Sequence, residues 1–211
     1  TGHYLNNGYD LTDLINELSK IDDIKRIRIS SIEVTELNDK FLDMLKNNDK
    51  VCDHLHIPLQ AGSDEILKRM NRKYEEKIKK IRSIRPDISI STDIIVGFPY
   101  ETEELFLNTL EFSKKIKFSK IHVFPYSVRV GTAAANMKEQ VDEVVKKMRV
   151  KRLMAVSHML EVDYFNKFKD KELDILIETC DNNVSEGHTS NYLLVSVPEN
   201  IKVGEIVRRK I

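Results

Sequence analysis

The strongest constraint in this chain is its alternation of short β-branched runs with stretches of helical period. Leu11, Leu14, Ile15 and Leu18 recur at helical spacing. Ile27 to Val34 is a β-branched run that favours strand. Asn38 is placed to cap a helix over Asp39 to Lys46. His54 to Leu59 reads as the next strand, followed by helical stretches Glu65 to Arg72 and Glu75 to Ile84. Ile88 to Val96 is a strand, Thr102 to Ile116 a capped helix, and Lys120 to Tyr126 another strand. Asp142 to Phe168 is a long helix with Leu153, Val156, Leu160 and Tyr164 on one stripe. Repeated β-then-α units predict an α/β fold: a parallel sheet with helices packed outside it.

From Lys169 the pattern changes to short strands. Lys171 to Thr179 alternates, Gly187 to Asn191 reads as a turn region, and Tyr192 to Val197 and Val203 to Ile211 follow. Two units are expected: an α/β part over 1–168 and a small all-β barrel over 169–211.

In parallel sheets the functional loops lie at the C-terminal strand ends. The unusual residues of this chain fall there. They are Ser30 to Glu33, Gln60 to Asp64, Gly97 to Glu101 and Pro125 to Ser127. A glycine between strand and helix, as at Gly97, lets backbone approach a nucleotide or simply makes the turn. Phe124 to Tyr126 can stack on a purine or pack in a core. His54 and His56 share one strand face. With Asp93 they would suit a metal hydrolase, against a plain hydrogen-bonded role inside the sheet. No metal ligand is assigned on this basis.

Composition excludes some classes. Of 211 residues, 34 are basic and 34 acidic, so a uniformly basic nucleic-acid binder is not expected. Positive charge is concentrated locally in Glu65–Arg85, Lys146–Arg152 and Ile201–Ile211. Such runs are either solvated faces or phosphate contacts. No apolar run reaches the ~20 residues of a membrane span. Cys52 and Cys180 are too few for a disulfide scaffold, which fits a reducing, cytoplasmic setting. The start, Thr1-Gly2-His3-Tyr4, has no basic or apolar leader and no Met.

Longer phrases are more specific. Lys50 to Asp64, followed by Leu67 to Arg72, resembles the radical-SAM methylthiotransferases. So do Ser91 to Pro99 and Glu101 to Glu104. Ser30-Ser31-Ile32-Glu33 and His122 to Ser127 resemble the branch acting on threonylcarbamoyladenosine in tRNA, rather than the isopentenyladenosine branch. Gly187 to Tyr192 resembles the family's RNA-binding TRAM barrel.

The resemblance implies a partial (β/α) TIM-like radical-SAM barrel followed by a TRAM domain. It implies two [4Fe–4S] clusters, an electron donor and S-adenosylmethionine, whose 5′-deoxyadenosyl radical takes hydrogen from adenine C2. A second cluster's sulfur and another methyl then give the 2-methylthio derivative beside the anticodon, so the tRNA anticodon stem-loop is the expected partner. By position it assigns cofactor contacts to Ser31, Glu33, Gln60, Ser63, Asp93, Val96, Gly97, Phe124, Pro125 and Tyr126, and a tRNA phosphate contact to Arg129. No catalytic residue is named, because the CxxxCxxC triad is absent from this chain. The chain is therefore expected to be a C-terminal piece, inactive alone and without a cluster; the alternatives are the isopentenyladenosine branch and a non-catalytic RNA-binding fragment. Tyr100 stands where the family usually has Gly, Val128 and Val130 where it often has Pro, and Lys73 to Glu76 is a short junction. Oligomeric state is not legible.

Overall fold

Three helices of the α/β part begin at polar caps, and at two of them, Asn38 and Thr102, the sequence announces it. Asn38 Oδ1 accepts from Phe41 N at 2.9 Å, Thr102 Oγ1 from Leu105 N at 3.2 Å, and Asp142 Oδ1 from Val144 N at 2.8 Å. The computed structural model describes residues 5–6, 8–59 and 64–211, with side chains over 8–59 and from 73 onward.

A hairpin of β1 (Leu5–Asn6) and β2 (Tyr9–Asp10) leads into α1 (Leu11–Ser19). Four parallel strands follow in sequence order: β3 (Ile27–Ile29), β4 (Val51–His56), β5 (Ser89–Val96) and β6 (Lys120–Pro125). Helices α2 (Asp39–Asn47), α3 (Asp64–Ile84) and α4 (Glu103–Ile116) make the crossovers, and α5 (Glu143–Asn166) packs on β6. This is the expected α/β fold of part of a (β/α) barrel.

Strand alternation divides the sheet's residues. Leu55, Ile57, Ile90, Ile94, Val96 and Ile121 are buried with Phe41, Ile78, Ile81, Phe106 and Leu153 in one core. The opposite, inner face carries His54, His56, Ser91, Asp93 and His122, which contact one another. A sheet that is apolar on one side and polar on the other leaves the polar side for chemistry.

The β-branched run over Ile27 to Val34 is not all strand. The strand ends at Ile29, and Val34–Glu36 forms a 3₁₀ turn. Burial decides this: the turn delivers Ile32 and Leu37 into the core, where neither keeps any exposure. The strand expected over His54 to Leu59 runs instead over Val51–His56. Pro58 has no N–H to donate and cannot extend the ladder. The two helical stretches after Asp64 are one helix.

The C-terminal part contains β7 (Glu172–Asp181), β8 (Val184–Thr189), β9 (Leu194–Val197) and β10 (Ile206–Lys210). They form one antiparallel sheet in the order β10-β7-β8-β9 over a small core of Ile175, Ile177, Val197 and Ile201. Among the described residues no β9–β10 pairing closes a barrel. Gly187 lies within β8 and not in a turn. A Cβ there would sit 1.9 Å from the Leu176 carbonyl oxygen, beside a register shift of β7. Close backbone approach, not turning, is what requires glycine at this position.

The two parts meet through polar contacts. Arg26 donates to the carbonyls of His188 and Asp174, and Arg28 to that of Thr189. Asp53 N donates to Ser190 Oγ at 3.0 Å, and Asn191 Nδ2 to the Tyr164 hydroxyl at 3.2 Å. No described helix is long and apolar enough to cross a membrane.

Candidate functional site

The C-terminal ends of the four parallel strands bring together most of the expected site. Ser31 and Glu33 are half-buried after β3, with Glu33 at the start of the 3₁₀ turn. Asp93 lies opposite His122, and Val96 opposite Pro125. Tyr126 N donates to Val96 O at 2.8 Å, tying the two strand ends. Gly97 has φ +75°, in the left-handed region. Its N–H donates to both carboxylate oxygens of Glu101, at 3.0 and 3.1 Å. Gln60 and Ser63 lie outside the described residues.

Phe124 is half exposed, and Ile95, its register partner, is 39% exposed. Both alternate onto the inner face, so an apolar patch opens beside Asp93. Phe98 meets Tyr126 edge-on with ring centroids 5.0 Å apart, and the buried Tyr126 hydroxyl has no partner among the described residues. Apolar surface for a flat base, with polar groups and strand-end backbone around it, suits a nucleoside such as the adenosyl part of S-adenosylmethionine. The chain's cysteines do not suit a cluster: Cys52 is buried on β4, Cys180 lies on β7, and neither belongs to a cysteine triad.

Two basic residues beneath this loop were not legible as structural. Lys146 and Arg149 are buried on the inward face of α5. Arg149 Nη1 donates to Glu101 Oε1 at 2.6 Å and to Glu101 O at 2.9 Å. Burial pushes the Glu101 carboxyl upward, while the Gly97 amide and Arg149 pull it down. Lys146 Nζ pairs with Glu143 at 2.7 Å and stands over the Tyr126 ring. Both are buried and paired within the chain. The basic run after Glu65 is also partly structural. Lys77 bonds Leu37 O, Arg82 bonds the Ile116 and Lys117 carbonyls, and Arg85 bonds Leu45, Asn48 and Val51 carbonyls and Asp53. These side chains terminate helices and loops.

Deeper on the inner face lies a histidine network. Ser91 Oγ is 3.0 Å from His54 Nε2 and 2.9 Å from His56 Nδ1. His56 Nε2 is 3.3 Å from Asp93 Oδ2. His54 is buried, and burial pushes its pKa down to about 3, helped by the Arg28 charge. Tyr192, from the β8–β9 connection, stacks between His54 at 4.5 Å and His188 at 4.4 Å, under the Arg28 guanidinium. Neither Tyr192 nor His122 was assigned a role from sequence. Strand parity was the available signal for His122, since it faces Asp93 on the neighbouring strand.

Tyr100 has φ +67°. That explains why glycine suits this place, since a Cβ is disfavoured there. Arg129 is exposed beyond β6, and Val130 is wholly exposed.

Residues 1–113 match the Radical SAM superfamily. The chain belongs to the radical SAM superfamily. Its relatives within that superfamily are tRNA methylthiotransferases, in agreement with the resemblance of its motifs. It is 43% identical to the Bacillus subtilis threonylcarbamoyladenosine tRNA methylthiotransferase MtaB, over 96% of this chain and 48% of that protein. It is 39% identical to the tRNA-2-methylthio-N(6)-dimethylallyladenosine synthase of Thermoanaerobacter sp. (strain X514), over 100% of this chain and 46% of that protein. The Thermotoga maritima MtaB is 42% identical over 81% of this chain and 41% of its own length. The chain thus spans about half the length of the curated relatives it matches.

Proposed function

We propose that this chain is part of a cytoplasmic tRNA methylthiotransferase that converts N6-threonylcarbamoyladenosine, next to the anticodon, to its 2-methylthio derivative. The observation that carries the reading is the strand-end face of Asp93, Gly97 and Phe124 to Tyr126 in a chain 43% identical to a threonylcarbamoyladenosine tRNA methylthiotransferase. The phrases Ser30 to Glu33 and His122 to Ser127 favour that branch over the dimethylallyladenosine one.

Reduced S-adenosylmethionine supplies the hydrogen-abstracting radical, and a further molecule of it supplies the methyl group. The chain's own residues bind and orient. Phe124 and Ile95 offer a platform for the adenine, and Tyr126 and the Val96 and Gly97 backbone line its edge. Ser31, Glu33, Asp93, Gln60 and Ser63 supply polar groups for the ribose and amino-acid ends. Two [4Fe–4S] clusters and an electron donor belong to the whole enzyme, and their ligands are not in this chain. The β7–β10 sheet, which resembles a TRAM domain, and Arg129 are assigned to the tRNA. The 211 residues alone are expected to hold no cluster and to be inactive.

The test is mass analysis of tRNA nucleosides from the source strain with and without the gene. Loss of 2-methylthio-threonylcarbamoyladenosine with accumulation of the unthiolated nucleoside is expected. Loss of the dimethylallyl product instead would move the enzyme to the other branch, and no change in either would refute the reading.

A further inference from the structure

We propose that the inner face of the sheet holds a mononuclear divalent transition-metal site formed by His56, Asp93 and His122, separate from any iron–sulfur cluster. The ligand atoms of these three side chains lie within 4.8 Å of one another. His56 Nε2 and Asp93 Oδ2 are already 3.3 Å apart. Bonds of roughly 2.0–2.1 Å to nitrogen and oxygen place neighbouring ligand atoms about 3.0–3.4 Å apart, so only His122 has to close in. His122 is exposed at its strand position, and its ring centroid is 5.7 Å from that of His56.

The surroundings argue for a ligand role as well. His56 spends Nδ1 on the Ser91 hydroxyl, which fixes the ring and directs Nε2 toward Asp93. A second hydrogen bond on the far ring nitrogen is the usual support of a metal-binding histidine. Ser91 is held in turn by His54 Nε2 at 3.0 Å. Three strands therefore present one ligand each, and the buried Ser91, itself held by His54, braces His56. Asp93 turns its Oδ2 to His56.

Two imidazoles and one carboxylate suit zinc, iron(II) or cobalt(II) rather than calcium or magnesium. Three protein ligands leave a coordination position for water or a substrate oxygen. The site faces the same opening as Phe124 and Ile95, so a bound ion would stand beside the base rather than within the core.

The 211-residue chain, stripped with a chelator, is titrated anaerobically with Co²⁺ and then with Zn²⁺. One equivalent of Co²⁺ with the visible absorption of four- or five-coordinate cobalt, displaced by Zn²⁺, is expected. His122→Ala, which alters an exposed residue, should abolish the saturable band, and Asp93→Asn should do the same. Ser91→Ala should weaken binding roughly 10–100-fold. His158→Ala, on the exposed side of α5, should leave it unchanged. Absence of a saturable band in the unaltered chain, or a band that survives both His122→Ala and Asp93→Asn, would overturn the proposal.

Discussion

Gly97→Ala tests whether the strand-end loop is built around a specific contact with α5. Gly97 has φ +75°, and a Cβ added there would lie 2.4 Å from Lys146 Cγ, 3.2 Å from its Cδ and 3.3 Å from its Cβ. Lys146 cannot swing away cheaply, because it is only 2% exposed and its stem is enclosed. The left-handed backbone costs a non-glycine residue about 1–2 kcal/mol. Overpacking a filled site adds about 1–3 kcal/mol. The variant should therefore lose about 2–5 kcal/mol of stability, read from urea unfolding followed by far-UV circular dichroism. Adding Lys146→Ala removes the Cγ and Cδ contacts but leaves the backbone strain. The double variant should thus recover about 1–3 kcal/mol relative to the sum of the singles. A Gly97→Ala midpoint within about 0.5 kcal/mol of the unaltered chain would refute the reasoning, as would strict additivity with Lys146→Ala.

Acid should unfold the chain in part through His54. Its pKa falls from 6.5 unfolded to about 3 folded, so its contribution is complete above pH 6.5 and is lost as pH falls toward 3. At pH 5 the loss from this residue is about 2 kcal/mol by linkage. Urea midpoints at pH 7.5 and 5 in chelator should show it, and His54→Phe should flatten the difference. Tyr100→Gly should raise stability by about 0.5–1 kcal/mol, since the side chain is half exposed and the backbone is left-handed. Arg85→Lys should cost at least about 2 kcal/mol, because an ammonium cannot reach the Leu45, Asn48 and Val51 carbonyls together with Asp53.

What was legible in the sequence was local. Asn38 and Thr102 announce their helices because a cap's partner is only three residues away. Period two placed His54 and His56 on one face correctly. What failed depended on distant neighbours. Lys146 and Arg149 sit in a basic run, but a charge count carries no direction, and on α5 these two are buried, Lys146 paired with Glu143 of the same helix and Arg149 with Glu101. Gly187 resembles a turn residue, yet it serves a crowded strand pair. The histidine network needed the register of β5 against β6 to bring His122 to Asp93. Tyr192 needed the docking of the second sheet to bring it to His54. The strand-end placement of Ser31, Glu33, Gly97 and Phe124 to Tyr126 was readable because parallel sheets put the residues after each strand at one end. Gln60 and Ser63 lie outside the described residues.

The central claim is that this strand-end face forms part of a tRNA methylthiotransferase site. It is tested most directly by restoring a strain that lacks the gene with variants of the whole enzyme and measuring its tRNA nucleosides. Phe124→Ala and Asp93→Asn should fail to restore 2-methylthio-threonylcarbamoyladenosine, whereas Lys114→Ala, at an exposed position in the last turn of α4, should restore it. Full restoration by both site variants would contradict the account.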